Sequence, residues 1–144
     1  MVSDVEIYAF INGSLSNESI PLSLENVEAG FPLPNGGQID KRLDVNAYLL
    51  DHPKATIAFT VSGESMVDAG ILPGDIVLVD TMKEANDGDV VVASVDNEYT
   101  IKELRIGPPL QLLPKNQEYS PIRLEDGMEV KILGPVVSVI RKYK

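Results

Sequence analysis

Asp89-Val90-Val91-Val92-Ala93-Ser94-Val95-Asp96-Asn97-Glu98-Tyr99-Thr100-Ile101-Lys102-Glu103-Leu104 holds two β-rich runs, Asp89 to Val95 and Tyr99 to Leu104, joined by Asp96-Asn97. β-Branched and aromatic side chains suit a pleated, half-buried surface, and Asp and Asn tolerate the positive φ of a tight hairpin. The stretch therefore predicts a hairpin with Lys102 on its second strand. Alternation puts Lys102 on the face shared with Thr100 and Leu104. The same pattern repeats on both sides. Ala55 to Val61, Asp75 to Val79, Leu110 to Leu113, Val130 to Leu133 and Val136 to Ile140 are short apolar runs. They are bounded by Pro73-Gly74, Asp87-Gly88, Gly107-Pro108-Pro109, Asp126-Gly127 and Gly134-Pro135. A mainly β fold follows. Asp44 ahead of Val45 to His52, with Pro53 behind, predicts one brief helix.

The 144 residues fit one compact domain with an ordinary core, built from Val, Ile and Leu because Trp is absent and aromatics are 6%. Residues 1–29 hold five acids (Asp4, Glu6, Glu18, Glu25, Glu28) and no Lys or Arg, whereas all twelve bases lie in 30–144. Short apolar stretches broken by Ser, Asn and Glu read as an arm with a little β-structure and no core of its own. Ala29-Gly30-Phe31-Pro32-Leu33-Pro34-Asn35-Gly36-Gly37 then predicts an extended, exposed boundary. The expected division is an arm, 1–29, and a domain, 30–144.

A net charge of -10 argues against broad attraction to phosphate backbones or anionic membranes, so a link to DNA is expected to run through a partner protein. Early acids stand where a secretory signal would carry bases, and no stretch nears the roughly 20 apolar residues of a membrane span. A cytoplasmic protein is expected. With no Cys and one His, thiol nucleophiles, disulfides and ordinary zinc sites drop out, and no metal or cofactor is expected. His52, before Pro53, reads as a helix-end cap or a solvated residue rather than a triad member. A Ser activated by a Lys survives. Burial disfavours an ammonium and makes a Lys available as a base, so an inward Lys102 qualifies. Ser65, in Ser62-Gly63-Glu64-Ser65-Met66, follows a strand on a Gly-containing turn where main-chain N–H groups can face an oxyanion. By position alone, a turn serine and a solvent-facing lysine are the preferred readings of these two residues.

Ordered blocks change that balance: Ser62-Gly63-Glu64-Ser65-Met66-Val67-Asp68-Ala69-Gly70-Ile71, Gly74-Asp75, Val79-Asp80, Gly88-Asp89-Val90-Val91 and Tyr99 to Leu104, with Gln111 to Asn116, Tyr119 to Ile122 and Phe31-Pro32 beyond them. Over roughly residues 28–140 the chain resembles the LexA-like self-cleaving proteins, and within them the accessory subunits of error-prone DNA polymerases. The resemblance implies a LexA-like peptidase domain: short strands in a curved, partly barrel-like sheet assembly, with an extended N-terminal arm. It also implies Ser65 as nucleophile, Lys102 as general base, Ala29-Gly30 as the scissile bond and the N–H groups of Ser65 and Met66 as the oxyanion site. Small residues at such a bond let an extended segment approach the serine.

By the same resemblance, a RecA filament on single-stranded DNA stimulates self-cleavage in the SOS response. The trimmed homodimer then serves a Y-family translesion polymerase. The alternatives are a non-catalytic β-rich adaptor, or a LexA-type repressor fragment without its DNA-binding part. At alkaline pH a lysine base should cut faster, whereas an adaptor should stay whole.

Overall fold

The computed structural model describes residues 4–10, 20–22, 41–124 and 127–144. The chain divides into two compact units, one formed by residues 1–13 with 52–144, the other by residues 14–51.

In the smaller unit, β2 (Ile20–Leu22) pairs antiparallel with β3 (Lys41–Leu43), and α1 spans Val45–Leu49. Asp44 caps α1 as expected, its carboxylate accepting from the Ala47 N–H at 3.1 Å.

The larger unit is mainly β and consists of one eight-stranded sheet that curls into a half-barrel. Its strands are β1 (Val5–Phe10), β4 (Thr56–Val61), β5 (Ile76–Asp80), β6 (Val90–Val95), β7 (Glu98–Arg105), β8 (Gln111–Leu113), β9 (Ile122–Arg123) and β10 (Val130–Ile140). They run in the order β1-β4-β5-β10-β6-β7-β8-β9, and every pairing is antiparallel. The expected hairpin is β6–β7, with Asp96 at φ 50° and Asn97 at φ 68°, both in the left-handed region that such a tight turn needs. Two buried clusters form the core. One packs Val5, Phe59, Met66, Ile71, Val77 and Ile101, with Tyr99 edge-on to Phe59 at 5.3 Å; the other packs Val91, Ala93, Val95, Leu104 and Leu112.

Gly134-Pro135 does not end a strand. β10 runs through it, and the register shifts between Ile132 and Gly134 as the strand passes from β6 to β5. A Cβ at Gly134 would run into the Asp80 carbonyl, so the glycine serves a close backbone crossing rather than a turn.

His52 also departs from expectation. It neither caps a helix end with its side chain nor stands free in solvent. It opens a short 3-10 turn, Pro53–Ala55, and its Nδ1 lies 2.7 Å from Oδ2 of buried Asp80. Among the described residues no helix is long and apolar enough to cross a membrane.

Candidate active site

Ser65 sits just beyond the end of β4. The turn is anchored from below by Met66, which is fully buried in the first core cluster. From the side, the Lys115 N–H donates to the Ser65 carbonyl at 2.7 Å, the Asp68 N–H donates to the Lys115 carbonyl at 2.8 Å, and Asn116 Nδ2 donates to the Glu64 carbonyl at 2.9 Å. A serine held by its core-buried neighbour and by a second chain segment has little freedom.

Lys102 points inward from β7, opposite Val91 on β6, and is 5% exposed. Its Nζ lies 3.0 Å from Ser65 Oγ, 2.7 Å from Thr100 Oγ1 and 3.0 Å from the Ile101 carbonyl. The sheet thus brings together two side chains 37 residues apart, with Ser65 at 1% exposure. Thr100 and the Ile101 carbonyl aim the amine. Thr100 was legible in principle, since it sits two residues before Lys102 on the same face. The N–H groups of Ser65 and Met66 make no hydrogen bond to any described residue. Ala29 and Gly30 lie outside the described residues.

A third side chain completes the cluster without any local signal in the sequence. Asp4, just ahead of β1, is 8% exposed, and its Oδ2 accepts from Ser65 Oγ at 2.7 Å and from Lys102 Nζ at 2.5 Å. Its Oδ1 accepts from the Ile101 N–H at 2.8 Å, and its backbone carbonyl accepts from the N–H groups of Ser62 at 2.9 Å and Gly63 at 3.3 Å. Gly63 makes this approach possible, because a Cβ there would stand 2.7 Å from the Asp4 Cβ.

The repeated Gly-Asp pairs turn out to be loop fasteners. Asp89 accepts from the Asn86 N–H, and Asp75, almost wholly buried, accepts from the Leu72 N–H and from both Nε and Nη2 of Arg141, at 2.6 Å each. The Arg141 hydrogen bonds hold the Asp75 carboxyl below its ordinary range, against the opposing effect of burial and with help from the Leu72 N–H. An open pocket of about 410 Å³, lined in part by Asp68, Leu113, Lys115 and Tyr119, flanks the segment that pins Ser65, and neither Ser65 nor Lys102 lines it. Among the described residues no group of three His, Asp or Glu is arranged to hold a metal ion.

A curled β-sheet that buries a turn serine beside a strand lysine has the form of a LexA-like self-cleaving peptidase domain. Residues 21–137 match the family described as Peptidase S24-like, and the chain belongs to that family, one of self-cleaving serine peptidases. It is 38% identical to Protein SamA of Salmonella typhimurium over 124 residues, which is 86% of each chain. It is 37% identical to Protein MucA of Escherichia coli over 126 residues, 87% of this chain and 86% of that one. Both are UmuD-like proteins. A LexA repressor of Clostridium botulinum is 38% identical over 134 residues, covering 92% of this chain and 59% of the repressor.

Proposed function

We propose that the protein cuts its own chain between Ala29 and Gly30, with Ser65 as nucleophile and Lys102 as general base. Ser65 Oγ attacks the Ala29 carbonyl carbon while its proton passes to Lys102 Nζ. The N–H groups of Ser65 and Met66 receive the oxyanion. The C–N bond then breaks as Lys102 returns the proton to the leaving Gly30 nitrogen, and water hydrolyses the acyl-serine to free the arm. The observation that carries this is the buried 3.0 Å contact between Lys102 Nζ and Ser65 Oγ, in a chain of a self-cleaving peptidase family.

The wider role is SOS mutagenesis in the cytoplasm. A RecA filament on single-stranded DNA stimulates the cut, and the processed homodimer becomes the accessory subunit of a UmuC-like Y-family polymerase, as in DNA polymerase V, during translesion synthesis. Similarity to SamA and MucA, at 37–38% identity over 86% of each of those proteins, supports this role. The test is intact mass spectrometry before and after incubation with RecA, ATP and single-stranded DNA, for wild type, Ser65→Ala and Lys102→Ala. A product beginning at Gly30 is expected from wild type alone, and an undiminished cut in either variant removes the dyad.

A further inference from the structure

Asp4 contacts both members of the proposed dyad, and it reverses the hydrogen bond that the reaction needs. For Lys102 to act as base, the Ser65 proton must point at a lone pair on Nζ. Here the Ser65 proton points at Asp4 Oδ2, 2.7 Å away, and Nζ has four acceptors within reach: Asp4 Oδ2, Thr100 Oγ1, Ser65 Oγ and the Ile101 carbonyl. An amine set among four acceptors serves as a donor. The serine receives from the lysine rather than giving to it.

A carboxylate that supported the base would touch the lysine and leave the serine proton alone. Asp4 Oδ2 takes both. A scissile carbonyl carbon must also come within about 3–3.5 Å of Ser65 Oγ, and the Asp4 carboxylate already stands 2.7 Å from that oxygen, on a serine that is 1% exposed. Asp4 is well fixed. Its second oxygen takes the Ile101 N–H, its carbonyl takes two N–H groups of the serine turn, and β1 behind it is paired along β4 from Val5↔Val61 to Phe10↔Ile57.

We infer that Asp4 is a built-in inhibitor of the peptidase, a carboxylate carried on the N-terminal strand that holds Ser65 and Lys102 out of reaction until the strand lifts from β4. The inference rests on the assignment of Ser65 and Lys102 as nucleophile and base. It makes arm release, rather than creation of the catalytic pair, the event that an activator has to bring about. The pair is already at bonding distance while the strand is down.

The test uses the full chain and a fluorophosphonate reagent, which reports the reactivity of Ser65 without requiring the arm as substrate. Ser65 Oγ bonds to phosphorus, fluoride leaves, and the serine proton goes to Lys102. Wild type, Asp4→Ala, Asp4→Asn and Lys102→Ala are compared, with Lys102→Ala also added to each Asp4 variant, and the adduct is mapped to Ser65 by peptide mass spectrometry over time. Both Asp4 variants should label about 10- to 100-fold faster than wild type, the range matching loss of one hydrogen bond to a charged group, and Lys102→Ala should abolish the gain.

Asp4→Asn keeps the size of the side chain and carries the test if Asp4→Ala does not fold. Wild-type rates in both Asp4 variants, with Lys102→Ala slower than wild type, overturn the inhibitor and leave the dyad standing. A gain that survives Lys102→Ala overturns the base and the inhibitor together, as does the absence of any Ser65 adduct.

Discussion

Gly63→Ala isolates the close approach on which the arm's docking depends. The added Cβ would lie 2.7 Å from the Asp4 Cβ and 3.5 Å from its Cα, where ordinary carbon contacts sit at about 3.5–4.0 Å. Asp4 must therefore retreat by about 1 Å, since neither atom it meets is the end of a flexible side chain. A retreat of that size stretches the bonds from Ser65 Oγ (2.7 Å), the Ile101 N–H (2.8 Å) and the Ser62 N–H (2.9 Å) beyond useful length. At about 1 kcal/mol each, up to three lost bonds weaken docking by about 1–3 kcal/mol, or roughly 5- to 150-fold in the population of the lifted arm. Amide hydrogen exchange measures this directly. The β1 amides and the Ile101 N–H, whose acceptor is Asp4 Oδ1, should exchange faster by that factor, while Val92, opposite Ile101 on β6, keeps its protection. Unchanged β1 and Ile101 exchange in Gly63→Ala would refute the packing described for Asp4. Equal acceleration across β6 and β7 would refute a local origin.

Two further outcomes are expected from the body of the domain. Arg141→Ala should flatten the acid limb of stability. Because the folded Asp75 carboxyl is held below its unfolded value of about 3.9, its contribution is present above that pH and is lost as pH falls through the lower folded value. Thermal melts from pH 7 to pH 2 should therefore show wild type losing this increment below about pH 4, with the variant, already lacking it, changing less. Leu112→Ala, at a fully buried position of the second core cluster, should cost about 2–5 kcal/mol in urea unfolding; a cost under about 1 kcal/mol would contradict its burial.

The strands of the β-domain were legible because each short apolar run ends in residues with a specific turn chemistry, and Asp96-Asn97 adopts the conformation those residue types favour. Alternation placed Lys102 on one face with Thr100 and Leu104 without deciding which face turns inward, since Ile101 on the opposite face is buried as well; only the resemblance singled it out. Gly134-Pro135 misled because Gly and Pro signal both a turn and a strand that changes partner, and only the neighbouring Asp80 backbone decides between them. His52 misled similarly, since its partner Asp80 lies 28 residues away. Asp4 was the least legible of all. Its side-chain contacts are with Ser65, Ile101 and Lys102, 61 to 98 residues along the chain, and nothing beside it distinguishes it from the other acids of the arm.

The pairing of β1 with β4 separates two events that are easily merged. A peptide bond cut at residue 29 would change the connectivity of β1 but not the partner it has on β4, so a strand lifted for the reaction could pair there again after the cut. The product of that re-pairing would be a nicked, two-piece protein, as in fragment complementation. What changes at the nick is the entropy of parting: a tethered strand rebinds at an effective concentration in the millimolar range, whereas a severed one that dissociates is diluted into bulk. The scission would make departure irreversible in practice, and the off-rates of the two described strands of the severed piece, β1 from β4 and β2 from β3, would set the delay between cutting and a new molecular surface along the bared edge of β4.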